Sequence, residues 1–136
     1  MQFQPAQPYE IEAAARLDGH IPRVRLVESI AQGRVYLWKD DTGVVRGLLR
    51  YSLFWQTIPF LDLIYLEEGY RRRGIGREMM AFWEAEMRAQ GYASVMTSTQ
   101  ADEEAWKFYE ALGYRKVGGF FPPEQEAEEW IYLKNF

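Results

Sequence analysis

Residues 60–77 read Phe-Leu-Asp-Leu-Ile-Tyr-Leu-Glu-Glu-Gly-Tyr-Arg-Arg-Arg-Gly-Ile-Gly-Arg. Seven mostly apolar residues predict a strand over 60–66 whose near-continuous hydrophobicity suits a central position, buried on both faces. Gly74 and Gly76 predict a tight turn, and a helical pattern from about Ile75 to Gln90 opens directly out of it. Such a turn is built to hold an anion. Glycines let the backbone approach closely, and the first N–H groups of the helix lack a partner in their own ladder. The positive end of the helix dipole adds to the attraction. Three consecutive arginines, Arg71, Arg72 and Arg73, point to a multiply charged ligand.

The rest of the chain frames this stretch. With 136 residues, 48% of them hydrophobic, the sequence is expected to form a single domain, 1–136, with its own core. Sixteen basic against twenty acidic residues give a net charge of −4, which gives no general reason to expect nucleic acid or an anionic membrane as partner. The arginine cluster therefore stands out against an acidic background. Cysteine is absent, which excludes disulfides, thiolate metal sites and a cysteinyl intermediate. The only histidine, His20, cannot form a histidine metal cluster, so no metal is expected. No apolar run approaches 18 residues and no signal-peptide pattern opens the sequence, so a soluble, cytoplasmic protein is expected.

Working outward, residues 1–8 read as a short edge strand or a lead-in. Helices are expected from Pro8 to Leu17, with Tyr9, Ile11, Ala14 and Leu17 on one face, and from Pro22 to Gln32, with Val24, Val27, Ile30 and Ala31 inward. Residues 34–51 read as a hairpin turning at Asp40–Gly43, and 52–59 as an aromatic-bearing connection. The helix from about Ile75 to Gln90 turns Ile75, Met79, Phe82, Trp83 and Met87 to the core and stops at Gly91. A strand from Ala93 to Thr97 follows, running into Ser98-Thr99-Gln100. Asp102 then suits the N-cap of a helix carrying Ala105, Phe108, Tyr109 and Leu112. Strands at 114–117 and 129–136 close the chain, separated by a loop that takes in Gly118-Gly119 and Pro122-Pro123. The Gly-x-x-x-x-Gly-Lys-Ser/Thr phosphate loop and the Gly-x-Gly-x-x-Gly dinucleotide fingerprint are both absent.

Arg71-x-x-Gly74-x-Gly76, after a strand and opening a helix, resembles the acyl-CoA pyrophosphate loop of the GCN5-related N-acetyltransferases (GNAT). Leu66-Glu-Glu-Gly-Tyr70 is similar to the family's Val-x-Pro-x-Tyr/Phe lead-in, with Gly69 departing from it near the proline. Residues 97–114 resemble the second family motif, a strand followed by Asn-x-x-Ala-x-x-Phe-Tyr-x-x-x-Gly-Phe, with Asp102 where asparagine is common and Tyr114 where phenylalanine is. The resemblance implies an α/β fold: a mixed, mostly antiparallel twisted sheet, helices on both faces, and central strands that splay apart. It implies acetyl-CoA as donor, anchored by Arg71, Arg72, Arg73, Gly74, Ile75, Gly76 and Arg77, its pantetheine arm paired with the strand at Ile64, Tyr65 and Leu66.

The resemblance further implies N-acetyl transfer to a primary amine of a small molecule or protein by direct attack. Tyr109 matches the position of a general acid near the thioester, although a packing role in the core is equally open. For the general base, Asp62 is the first candidate, with an ion pair as the alternative, and Glu67 and Glu68 come next. Asp102 flanks the expected cleft and either contacts the donor or simply caps its helix. Tyr51, Phe54, Trp55, Tyr65, Phe120 and Phe121 wall the acceptor site, fill the core or form a dimer face. The acceptor itself is not legible, and monomer and homodimer both stay open. A second function class keeps the fold without catalysis, as an acyl-CoA-binding sensor or assembly module.

Overall fold

A computed structural model describes residues 2–136. The elements run β1 (Phe3–Pro5), α1 (Ile11–Leu17), α2 (Arg23–Ala31), β2 (Val35–Lys39), β3 (Val45–Phe54), β4 (Ile58–Leu66), α3 (Ile75–Ala89), β5 (Ser94–Gln100), α4 (Ala105–Ala111), β6 (Arg115–Phe120) and β7 (Glu129–Asn135). The strands form one open seven-stranded sheet in the order β1-β2-β3-β4-β5-β7-β6. The β4/β5 pair is parallel, with register Phe60↔Met96 and Leu61↔Thr97, as a strand–helix–strand crossover through α3 requires. The other registered pairs are antiparallel. The mixed, mostly antiparallel α/β class expected from the sequence is the one observed.

The chain packs as two compact units. The first runs to Ser52 and resumes over Asp62–Trp83. Its core gathers Ala14 and Leu17 of α1, Leu26 and Ile30 of α2, Val35 and Leu37 of β2, and Val45 and Leu48 of β3. Along α3, Met79, Met80 and Trp83 are fully buried while Ile75 and Phe82 are half-buried. Helical spacing selects Leu26 rather than Val24 and Val27, which are 61% and 47% exposed, and Ala31 also faces solvent. Tyr9, expected on the inner face, is 81% exposed, because Pro8–Glu10 forms a 3-10 turn whose tighter winding breaks the helical phase before α1 begins. Gly47 lets β3 approach β4 closely. A Cβ there would lie 2.9 Å from Leu66 Cδ1 and 3.2 Å from the Tyr65 carbonyl oxygen.

The second unit comprises Leu53–Leu61 and Glu84–Phe136. Here the expected connection over 52–59 proves to be a hairpin. Strand β3 continues to Phe54, and Trp55 and Gln56 make a two-residue turn with φ of 53° and 58°. Thr57 N–H closes it onto the Phe54 carbonyl at 3.0 Å. Positive φ at both central positions is the type I′ geometry that matches strand twist, but glycine or asparagine usually supplies it. The Gly118-Gly119 pair also lies within a strand, β6, at a register shift between Lys116 and Gly118. The glycines accommodate a bulge in an edge strand rather than ending it. Asp102 does not cap α4: the first helical residue is Ala105, its N-cap is Glu104, and no side chain caps it. Residues 101–104 make turns first, with Glu103 N–H bonded to the Gln100 carbonyl at 3.2 Å, which delays the helix past the aspartate.

Candidate functional site

The basic turn lies wholly in the first unit. After β4, residues Glu68–Tyr70 form a 3-10 turn, and Arg71–Gly74 lead into α3. Gly74 has φ +81° with open space where a Cβ would project, so its backbone angle and not crowding demands glycine. The first ladder bond onto the turn runs from Glu78 N–H to the Gly74 carbonyl at 3.0 Å. The N–H groups of Ile75, Gly76 and Arg77 therefore have no acceptor in the 15-residue helix they open.

Two arginines of this turn, Arg71 and Arg73, are held by rings and a carbonyl. Arg71 Nε donates to the Leu66 carbonyl at 2.7 Å, and its guanidinium lies 5.5 Å from the Tyr65 ring centre. Arg73 lies 5.3 Å from the Tyr70 ring, which Arg46 also approaches at 5.5 Å, and the Tyr70 hydroxyl donates to Asp40 at 3.2 Å. Among the described residues, none of Arg71, Arg72 and Arg73 forms an ion pair with a carboxylate. Arg71 and Arg72, with Glu68, line a cavity of about 120 Å³. Of the expected donor-binding residues, the structure thus joins Tyr65 and Leu66 to Arg71. Ile64 sits half-buried on the same strand.

Asp62 stands on β4 just past the last register pair with β5. The expected burial of this strand on both faces does not hold. Pro59 and Leu61 are buried, Leu63, Ile64 and Tyr65 are half-buried and Asp62 is exposed, leaving this length of strand open. The Asp62 side chain is 25% exposed, and Arg50 Nη1 reaches its Oδ2 at 3.5 Å. Burial raises the Asp62 carboxyl above the ordinary aspartate range, helped by the Asp18 charge and opposed by a hydrogen bond with Ser52 and by the Arg50 and Arg34 cations. Arg50 is more tightly engaged elsewhere: its Nε donates to Asp18 Oδ2 at 2.7 Å, and the Asp18 side chain is fully buried. Asp18 and Arg50 were not singled out from sequence. The one available signal was an arginine inside the apolar run Leu48-Leu49-Arg50-Tyr51.

Glu67, the next candidate base, is bound on both sides. Arg16 donates to it at 2.6 Å and Arg46 at 3.0 Å, and Arg16, ahead of burial, holds its carboxyl below the usual range. A carboxylate so neutralised is a poor proton acceptor. Glu68 is exposed.

Tyr109 and Asp102 belong to the second unit. Tyr109 is buried on α4 and rests edge-on against Phe108 and Tyr114. Burial pushes its hydroxyl up to about 12, against a hydrogen bond with Thr97 that acts the other way. Thr97 donates its own proton to the Leu61 carbonyl at 3.0 Å. With its hydroxyl so raised, Tyr109 stays neutral across the physiological range. Asp102 is exposed ahead of α4. Of the aromatic candidates for an acceptor wall, Tyr51 is core, only 6% exposed against Trp83, whereas Trp55, Phe120 and Phe121 are exposed. Among the described residues no group of His, Asp or Glu is placed to hold a metal ion, and no helix is long and apolar enough to cross a membrane.

A strand ending in a glycine-bearing cationic turn, in an open sheet with one parallel pair, is an α/β architecture of the acyltransferase kind. The chain belongs to the Acetyltransferase (GNAT) family, whose model matches residues 5–114. Solved structures share the fold. Ard1 from Thermoplasma volcanium superposes with a TM-score of 0.84 at 19% identity, over 98% of this chain and 95% of that one. The ribosomal-protein-S18-alanine N-acetyltransferase from Escherichia coli gives 0.82 at 14% identity, covering 98% and 92%. The PaiA N-acetyltransferase from Thermoplasma acidophilum, in complex with coenzyme A, gives 0.81 at 12% identity, covering 98% of each chain. No curated protein matches the sequence.

Proposed function

We propose that this chain is an acetyl-CoA-dependent N-acetyltransferase acting on a primary amine by direct attack. The observation that carries the proposal is the basic turn: three arginines without a carboxylate ion-pair partner among the described residues, beside helix-opening N–H groups, in a chain of this family. In an acidic protein, cations left unneutralised together are suited to a polyanion, and a CoA pyrophosphate fits that donor set. The coenzyme A complex of the similarly folded PaiA enzyme supports the same ligand.

Acetyl-CoA supplies the activated thioester. Arg71, Arg72, Arg73 and the N–H groups through Arg77 hold its phosphates, with Gly74, Ile75 and Gly76 keeping the turn narrow. The strand stretch of half-buried Ile64 and Tyr65 and buried Leu66 offers main-chain groups to the pantetheine arm. Asp62 takes the proton that the acceptor ammonium must lose before its lone pair can attack. The new C–N bond forms as the C–S bond breaks, and the leaving thiolate receives a proton from Tyr109, which is neutral at every working pH. Asp102 is a further candidate for donor contact.

The test is calorimetric titration with acetyl-CoA, comparing wild type with Gly74→Trp. A bulky residue at φ +81° strains the turn, where a Cβ itself meets nothing within 4 Å, so binding should fall at least about tenfold while the fold survives. Unchanged binding would remove the donor site. An amine panel then follows CoA release with a thiol reagent, against no protein background because cysteine is absent. With an accepted amine, Asp62→Asn should cost about a hundredfold or more in turnover at unchanged donor affinity. Tight donor binding without turnover on any amine would favour the non-catalytic sensor.

A further inference from the structure

We infer that Asp18 is a positioning residue for Asp62: it takes the Arg50 guanidinium for itself and so leaves the Asp62 carboxylate loosely held and available to an incoming ammonium proton. The inference rests on the reading of Asp62 as the general base.

Arg50 lies between two carboxylates and divides itself unequally. The bond to Asp18 is 2.7 Å and that to Asp62 is 3.5 Å, at the limit of a hydrogen bond. A guanidinium presents a planar fork, and an aspartate facing it without competition is ordinarily gripped at two points. Asp18, at the end of α1 and with no exposed side-chain surface, fixes the Nε edge of that fork and leaves Asp62 a single distant donor. The Asp18–Arg50 pair is also neutral as a unit, so Asp62 faces a dipole and not a net cation. The other groups facing Asp62 are Ser52, on the same strand as Arg50, and Arg34, just ahead of β2. His20 sits beyond, with Nδ1 3.4 Å from Asp18 Oδ1, and its main-chain N–H donates to the same oxygen at 3.1 Å.

This arrangement answers a difficulty the active-site chemistry poses. An aspartate paired closely with arginine becomes too weak a base to accept a proton near neutral pH. Arg50, occupying a nearly buried position beside Asp62, would do that if it were unopposed. Asp18 opposes it.

The test reads the carboxylate directly and needs neither donor nor acceptor. The whole protein is labelled with ¹³C at the aspartate carboxyls and titrated by NMR, with Asp62→Asn assigning the Asp62 signal. In Asp18→Asn, which keeps an oxygen for Arg50 Nε but removes the charge, the Asp62 midpoint should fall by about one pH unit, a tenfold loss of proton affinity. In Arg50→Gln, where the Asp18 charge bears on Asp62 uncancelled, it should rise by about as much. Opposite movements support the inference, and either variant, read in the folded state, suffices alone. A midpoint that stays put in a folded Asp18→Asn or Arg50→Gln protein overturns it. A merely structural Asp18 would lower stability without moving the Asp62 midpoint. The midpoints are independent of whether Asp62→Asn abolishes turnover, so failure of this inference and failure of the base assignment are separable.

Discussion

Two sets of arginines in the first unit are treated in opposite ways. Arg50 is almost buried and lies between Asp18 and Asp62, and Arg16 and Arg46 share Glu67. Arg71, Arg72 and Arg73 crowd one turn, where Arg71 and Arg73 meet rings and a carbonyl and, among the described residues, none of the three forms an ion pair with a carboxylate. The residue type is the same, but the surroundings assign different work. A cation cancelled by a carboxylate shapes the protein around it. A cation left uncancelled beside others is available to something arriving from solution.

That contrast can be broken by substitution. The largest effect is expected at Arg50. Arg50→Met leaves the fully buried Asp18 carboxylate unpaired and should cost about 3 kcal/mol or more in denaturant unfolding, since removing one member of a buried ion pair strands the other. A loss under about 1 kcal/mol would mean that the pair contributes little. Arg72→Gln should do the reverse. Stability should change by no more than about 0.5 kcal/mol, while the Kd for acetyl-CoA rises by about tenfold, more at low salt than at high. Equal losses of stability in both variants would erase the distinction.

The smallest effect sharpens the comparison at the hairpin turn. Asp40 accepts hydrogen bonds from the Thr42 hydroxyl and from Thr42 and Val44 N–H groups, and pairs with Arg46. The Thr42 hydroxyl bond and the Arg46 pair hold its carboxyl well below the ordinary value near 3.8. A depressed carboxyl contributes stability above its unfolded value and loses it as pH falls through the folded one. Asp40→Asn should therefore lower Tm at pH 7, with the gap from wild type narrowing as pH drops below about 4. A gap independent of pH would show that the turn's hydrogen bonds matter and its charge does not.

Most of the fold was legible in the sequence because local chemistry announces it. The apolar run 60–66, the turn glycines and Gly91, at φ +94°, each work within a few residues. The hairpin at Trp55-Gln56 was hidden because neither residue is the glycine or asparagine that signals positive φ. The inner face of α2 was misjudged because Val24, Val27 and Leu26 are all apolar, and only packing selects Leu26. At the candidate site, the basic turn is legible from its spacing and the family resemblance, and Asp62 is a candidate from its place on the strand over 60–66. Asp18 and Arg50 are not legible there, since they lie 32 residues apart and nothing local links them. Pairing across that distance is a property of the fold.

The uncancelled turn also bears on how long the protein lasts. Arg71, Arg72 and Arg73 repel one another, and a polyanion that binds the folded turn relieves that repulsion and draws the equilibrium towards the native chain. By mass action, donor at a hundred times its Kd would add about 2.7 kcal/mol. On the proposed reading of the turn as an acyl-CoA site, the half-life of this chain under proteolysis should track the supply of that ligand, making persistence a response to metabolic state.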